Sequence, residues 1–287
     1  MSHFRKAYVE ITNHCNLSCS FCHKTNRPKR EMSPAEFCRV LEQLHPCTNY
    51  LYFHLMGEPL LHPQLEYLME CCEQYGFLVN LTTNGTLVQS VKEILLTAKA
   101  LRKVSISLHS YEANQPFQPL ETYLEQTLSF VQQAQKEGIL CELRLWNENS
   151  ATSNAQNALN QSILQKISEM FSIELEHCPR GKNNSVKLAD GVYLGFAQIF
   201  DWPDLEYESE QEQLFCYGLR DQIGVLVDGT VVPCCLDSEG TIALGNLYEQ
   251  PLSEILESPR AKRLYDGFSR RIAEEPLCRR CGYARRF

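Results

Sequence analysis

Glu10-Ile-Thr-Asn-His14-Cys15-Asn-Leu-Ser-Cys19-Ser-Phe21-Cys22-His23-Lys24 carries three cysteines four and three residues apart, with an aromatic before the last. A compact loop at that spacing can turn three thiolates onto one metal centre. Tetrahedral zinc and iron–sulfur cubes normally take four protein ligands. Three thiolates without a fourth leave one iron of a cluster open for another molecule. His14 and His23 are the local alternatives for a fourth ligand and would make a zinc site with three cysteines and one histidine. The spacing alone leaves both readings open.

The rest of the chain sets the context for that loop. Its 287 residues are 44% hydrophobic and 22% charged. That is enough for one large or two modest domains and is not the composition of a disordered chain. A net charge of -8 and a pI near 5.6 argue against a dedicated nucleic-acid binder. Fourteen cysteines are many for this length. The polar start, Met1-Ser-His-Phe-Arg-Lys, lacks an apolar signal region, and no run approaches the ~20 apolar residues of a membrane span. The expectation is a reduced, cytoplasmic protein, with no membrane partner, that uses thiolates as metal ligands.

In chain order, Lys6–Ile11 reads as a first strand that delivers the cysteine loop at its C-terminal end, where α/β proteins place their chemistry. Ser33-Pro34-Ala-Glu36 is a helix start with an N-cap, a proline and a capping glutamate, and the helix runs to Leu44. Further strands are expected at Tyr50–Leu55, Phe77–Leu81, Val104–Leu108, Ile139–Trp146 and Val192–Phe200. Helices are expected at Gln64–Tyr75, Val88–Ala100 and Leu120–Lys136, and another begins in the second half of the Asn/Ser/Gln-rich stretch from Asn147 to Gln161. This alternation implies a parallel sheet with right-handed crossovers. The acidic stretch around Asp201–Glu212 reads as a linker. Beyond it, Asp228-Gly229 between β-branched runs signals a hairpin, and a helix is expected from Ser253 to Tyr265. Cys216 and Cys234 flank the hairpin, and Cys278-x2-Cys281 closes the set. Four such cysteines suit a structural zinc site as well as a cluster.

Cys15-x3-Cys19-x2-Cys22, with Phe21, resembles the signature of the radical S-adenosylmethionine (radical SAM) enzymes. The resemblance implies a partial (β/α)6 TIM-like barrel over residues 1–200, with a [4Fe–4S] cluster on the three cysteines. S-adenosylmethionine would chelate the open iron and yield a 5′-deoxyadenosyl radical that abstracts a substrate hydrogen. Gly57-Glu58 stands where the family carries a Gly-Gly-Glu-type motif for the cofactor's amino group. Met56 replaces the first glycine, so only Gly57 and Glu58 carry over; without the cysteines the same residues are a plain Gly/Pro turn. Asn84 in Thr83-Asn84-Gly85, Ser107 and Arg144 fall where the family contacts the cofactor. For Arg144 an ion pair with a barrel carboxylate is the competing reading. Phe21 joins this cofactor-binding set.

Cys216, Cys234, Cys278 and Cys281 resemble the SPASM extension of these enzymes in its shortened, twitch form. This implies a small α+β domain over 216–287 behind a linker at 201–215, with one auxiliary [4Fe–4S] cluster, because little chain follows Cys281. Cys234 is preferred to Cys235 on its spacing from Gly229. Cys38, Cys47, Cys71, Cys72 and Cys141 read as small hydrophobes. Cys178 is an incidental loop thiol or one near the substrate.

The expected function is that of a radical SAM oxidoreductase acting on a small molecule, with the auxiliary cluster oxidising the substrate radical, as in the twitch enzyme that oxidises an aminocyclitol hydroxyl. A peptide- or protein-modifying maturase is the alternative, disfavoured by the lack of space before Lys6 for a peptide-recognition domain. A non-catalytic metal-binding or electron-transfer protein is the alternative of another class. The resemblance also implies a flavodoxin- or ferredoxin-type electron donor. No catalytic base is singled out; His54, His109 and Tyr111 lie at strand ends without a motif.

Overall fold

Alternating runs of β-branched and amphipathic sequence set the element order. The computed structural model describes residues 4–114, 118–148, 154–181, 183–208 and 210–286. Residues 149–153 of the Asn/Ser/Gln-rich stretch and residue 209 of the expected linker lie outside this set. The elements are β1 (Lys6–Val9), α1 (Pro34–Leu44), β2 (Tyr50–Phe53), α2 (Leu65–Gln74), β3 (Leu78–Thr83), α3 (Lys92–Thr97), β4 (Leu101–Ser107), α4 (Leu120–Lys136), β5 (Leu140–Leu145), α5 (Asn154–Phe171), β6 (Ser185–Ala189), β7 (Val192–Phe196), β8 (Gln222–Val225), β9 (Thr230–Val232), β10 (Gly245–Asn246), α6 (Leu252–Glu257), α7 (Pro259–Ser269) and α8 (Pro276–Arg279).

The helices form where the local chemistry asks for them. Ser33 caps α1 by accepting from the Glu36 N–H, and the Glu36 carboxylate accepts from the Ser33 N–H at 2.8 Å, with Pro34 in the first turn. Such a box contributes about 1 kcal/mol. Phe37, Val40, Leu41 and Leu44 form the buried stripe of that helix. α4 has the boundaries its sequence predicts, and Gly138 beyond it takes a φ of 76°.

The chain divides into two compact units: residues 1–16, 23–79 and 200–287, and residues 17–22 and 80–199. In the first, the strand order is β10-β9-β8-β1-β2, followed by the start of β3. β1 pairs in parallel with β2 and with β8, and the β8–β9 hairpin is antiparallel. In the second unit the order is β3-β4-β5-β7-β6, with β4–β5 and β5–β7 parallel. The six strands β1 to β5 and β7 are those expected of a (β/α)6 arrangement. They belong to a mixed α/β sheet with edge strands, not to a closed barrel.

β6, α3 and the split between α6 and α7 differ from the sequence expectation, as do the short β10 and α8. β6 is an additional edge strand, antiparallel to β7. The helix expected at Val88–Ala100 contracts to α3. The helix expected at Ser253–Tyr265 is broken in two, because Ser258 leaves the helical region to cap α7 and Pro259 begins it.

Candidate functional site

In the first unit, β1 leads into Glu10, which is 1% exposed. Its carboxylate accepts from Arg27 Nη2 at 2.6 Å and from the Val227 N–H at 2.9 Å, and the Met56 N–H also reaches it. Burial pushes this carboxyl up, against the pull of Arg27 and the two amides. Arg27 also donates from Nε to the Ser238 carbonyl at 2.8 Å. One buried carboxylate thus ties together the strand that delivers Cys15, the turn that carries Gly57, and the tip of the β8–β9 hairpin. Spacing gave no sign of this hub. An acidic residue inside an otherwise apolar strand was the available signal, since a buried carboxylate requires a partner.

Gly57 has a φ of 80°, and a Cβ there would lie 2.3 Å from the Thr12 carbonyl oxygen and 2.8 Å from that of His14. The turn therefore fits against the backbone leading into Cys15 only as glycine. Gly57→Ala is expected to destabilise the protein by ~2 kcal/mol or more, lowering the unfolding temperature by about 5 °C. A thermal melt within 1 °C of the parent would contradict this. Glu58 donates its N–H to the His14 carbonyl at 2.6 Å, and its buried carboxylate caps the following turn at the Leu60 N–H, 3.1 Å away. His23 stacks on Trp202, with ring centroids 6.0 Å apart.

In the second unit, Cys19 and Cys22 share a turn closed by the Cys22 N–H donating to the Cys19 carbonyl at 3.2 Å. Phe21 packs on His109 at 4.7 Å. Asn84 is buried; its side-chain oxygen accepts from the Thr86 N–H, and its carbonyl accepts from the Tyr123 hydroxyl at 2.8 Å. Ser107 ends β4 in register with Arg144.

Alternation along a strand places Glu142 and Arg144 on one face of β5. The Glu142 carboxylate accepts from Arg144 Nε and Lys103 Nζ, each at 2.9 Å, and from the Ser105 hydroxyl at 3.0 Å. Burial alone would raise this carboxyl, but the two cations hold it down at about 2. The Arg144 guanidinium is thus ion-paired and lies 4.4 Å from the Trp146 ring centroid.

His109 is buried beside them, and burial pushes its imidazole down to about 4. Its Nδ1 lies 3.1 Å from the Arg144 carbonyl, which can only accept, so Nδ1 carries the proton and Nε2 is the acceptor nitrogen of the ring. Tyr111 is structural here: its hydroxyl donates to the Gln118 carbonyl and its ring stacks on Tyr123. Cys178 lines a separate cleft of about 1080 Å³ with Asn147, Asn160 and Arg180.

The first unit also brings Cys216, Cys234, Cys278 and Cys281 to one small cavity, whose other walls include Leu214, Ile242, Phe268 and Leu277. Cys235 is not among its walls; its thiol is hydrogen-bonded with the Tyr8 hydroxyl. Burial pushes all four thiols up, Cys216 to about 11. Backbone N–H groups are aimed at three of the sulfurs: Tyr217 and Gly218 at Cys216, Leu236 at Cys234, and Tyr283 and Ala284 at Cys281. Four soft donors in an apolar cavity, met by amides that favour thiolates, fit an iron–sulfur cluster, whose positive iron supplies the charge that burial otherwise denies. Of the cysteines read as core residues, Cys47, Cys71, Cys72 and Cys141 are buried, whereas Cys38 is half-buried.

The radical SAM superfamily matches residues 9–145, and the SPASM iron-sulfur cluster-binding domain matches residues 216–282. The tungsten-containing aldehyde ferredoxin oxidoreductase cofactor-modifying protein of Pyrococcus furiosus is 33% identical over 93 residues, 30% of this chain and 26% of that protein. The antilisterial bacteriocin subtilosin biosynthesis protein AlbA of Bacillus subtilis is 22% identical over 294 residues, 97% of this chain and 65% of that protein. The chain therefore spans about a quarter of the first relative and under two thirds of the second.

Among solved structures, BtrN in complex with AdoMet and 2-DOIA superposes with a TM-score of 0.60 at 18% identity, covering 98% of this chain and 94% of that one. Streptococcus suis SuiB bound to precursor peptide SuiA gives 0.60 at 18%, covering 98% and 72%. At these identities the likeness is one of fold. No helix among the described residues is long and apolar enough to cross a membrane. The chain therefore carries a radical SAM domain over residues 9–145 and a SPASM domain over residues 216–282, which imply a [4Fe–4S] cluster, S-adenosylmethionine and auxiliary iron–sulfur clusters as cofactors.

Proposed function

We propose that this chain is a radical SAM oxidoreductase that dehydrogenates a small molecule. Cys15, Cys19 and Cys22 would hold the [4Fe–4S] cluster, and Cys216, Cys234, Cys278 and Cys281 the auxiliary one, in an auxiliary domain over residues 216–287 that follows a barrel over 1–200 and a linker at 201–215. Bound there, the first cluster together with S-adenosylmethionine would supply a 5′-deoxyadenosyl radical for hydrogen abstraction, and the auxiliary cluster an acceptor for the electron that the substrate radical then gives up. The observation that carries the reading is the cavity lined by four thiols, because a cluster with four protein ligands keeps no iron open for substrate and is left a redox role.

The remaining residues bind and orient. Gly57 and Glu58 form the turn packed against the entry to Cys15. Asn84 and Ser107 line strand ends in the second unit, and Phe21 and Arg144 flank His109 there. The neutral, weakly basic His109 suits a hydrogen-bond acceptor for a substrate hydroxyl better than a store for its proton. A flavodoxin- or ferredoxin-type protein would deliver the first electron.

Replacing Cys278 and Cys281 by Ala is expected to remove about half of the iron of the reconstituted protein while 5′-deoxyadenosine formation continues without substrate oxidation. Unchanged iron content would contradict the assignment. Aminocyclitols and peptides, tested separately for stimulating 5′-deoxyadenosine release, decide the substrate class. The peptide-modifying reading is kept because the match to AlbA runs over 97% of this chain. Stimulation by peptides alone would establish it.

A further inference from the structure

The segment after β4 meets the cysteine loop at Asn114 as well as at His109. Within the second unit, Asn114 Nδ2 donates to Cys19 Sγ at 3.1 Å and to the Ser110 carbonyl at 2.6 Å. Its Oδ1 accepts from the Ser18 N–H at 2.8 Å. Beside it, the Ala113 carbonyl accepts from the Ser20 N–H at 3.2 Å. The amide plane is therefore fixed at three points, and its N–H is held on the sulfur of Cys19.

We propose that Asn114 is a positioning residue for the radical-generating cluster, setting its reduction potential through the N–H···S bond to Cys19; this rests on Cys19 being a ligand of that cluster. A ligated thiolate carries more negative charge when the cluster is reduced. A donor aimed at it therefore stabilises the reduced state more than the oxidised one and raises the potential. The oxygen end of the same side chain serves a different purpose, holding the loop through Ser18. The two roles separate by substitution. Asn114→Asp keeps an acceptor for Ser18 but places a carboxylate oxygen where the donor was. Asn114→Leu has a similar shape and neither polar end.

The test is an anaerobic redox titration of the reconstituted full chain, followed by the electron paramagnetic resonance signal that changes when S-adenosylmethionine is added. Asn114→Asp and Asn114→Leu should each lower the reduced-to-oxidised ratio at a given potential about tenfold or more, equivalent to ~59 mV for one electron. The potential is read on whatever fraction of the cluster assembles, so partial loss of iron does not hide the result. An unshifted midpoint in Asn114→Asp overturns the inference and leaves Asn114 as a loop staple only. If the responsive signal survives replacement of Cys15, Cys19 and Cys22 by Ala, the ligand assignment itself has failed. If that signal is lost but Asn114→Asp leaves the midpoint unchanged, only the role of Asn114 has failed.

Discussion

Replacing Cys15, Cys19 and Cys22 together by Ala is expected to abolish 5′-deoxyadenosine formation and to lower the iron of the reconstituted protein from about eight to about four per chain. All three are replaced because a single vacancy in a cluster loop can be filled by a neighbouring donor or by water. The local substitutes are few. The ring of His23 stacks on Trp202. The iron that remains should sit at Cys216, Cys234, Cys278 and Cys281, so the visible absorption of a cluster persists at reduced intensity. Iron assay and chromatography of the nucleoside products check both halves of the expectation. Cleavage that survives with full iron would move the radical-generating site away from this loop.

What was legible in the sequence was what depends on short spacing. The cysteine loop, the capping box of α1, the length of α4 and the Asp228-Gly229 hairpin each rest on residues within a few positions of one another. The break at Ser258-Pro259 was equally local, but a continuous apolar period from Leu252 to Phe268 masked it. β10 is two residues long and exists only because β9 offers it an edge. Contacts made over long sequence separations were not legible. Asn114 is 95 residues from Cys19, and Glu10 is 217 from Val227. Nothing in the spacing of either pair announces the other. Arg144 lies between these cases: its partner Glu142 is two residues away on the same strand face, which strand alternation alone would have offered.

The Glu10–Arg27 pair yields the largest expected effect on stability. Glu10 is wholly buried at its side chain and Arg27 is 12% exposed there, so neither charge has adequate water if the other is removed. Arg27→Ala should cost ~3–5 kcal/mol, the range for breaking a buried pair from one side, which corresponds to a fall in unfolding temperature on the order of 10 °C. Arg27→Lys should fall between, because a single ammonium cannot serve both the Glu10 carboxylate and the Ser238 carbonyl as the guanidinium fork does. The double variant Glu10→Gln, Arg27→Met should recover part of the loss, since glutamine still accepts from the Val227 N–H and no buried charge remains.

The deficit of Arg27→Ala should also shrink as the pH falls from 8 towards 6. Burial already raises the Glu10 carboxyl, and without Arg27 it rises further. A carboxyl whose folded-state pKa exceeds its unfolded value binds a proton preferentially in the folded state, so acidification favours folding in this variant. Thermal melts at three pH values measure both the size and the slope. A single variant within 1 kcal/mol of the parent, or a double variant no more stable than Arg27→Ala, would mean that the pair is not what holds the end of β1. In that case the Gly57 turn, through its contact with the backbone before Cys15, would have to position the cysteine loop alone.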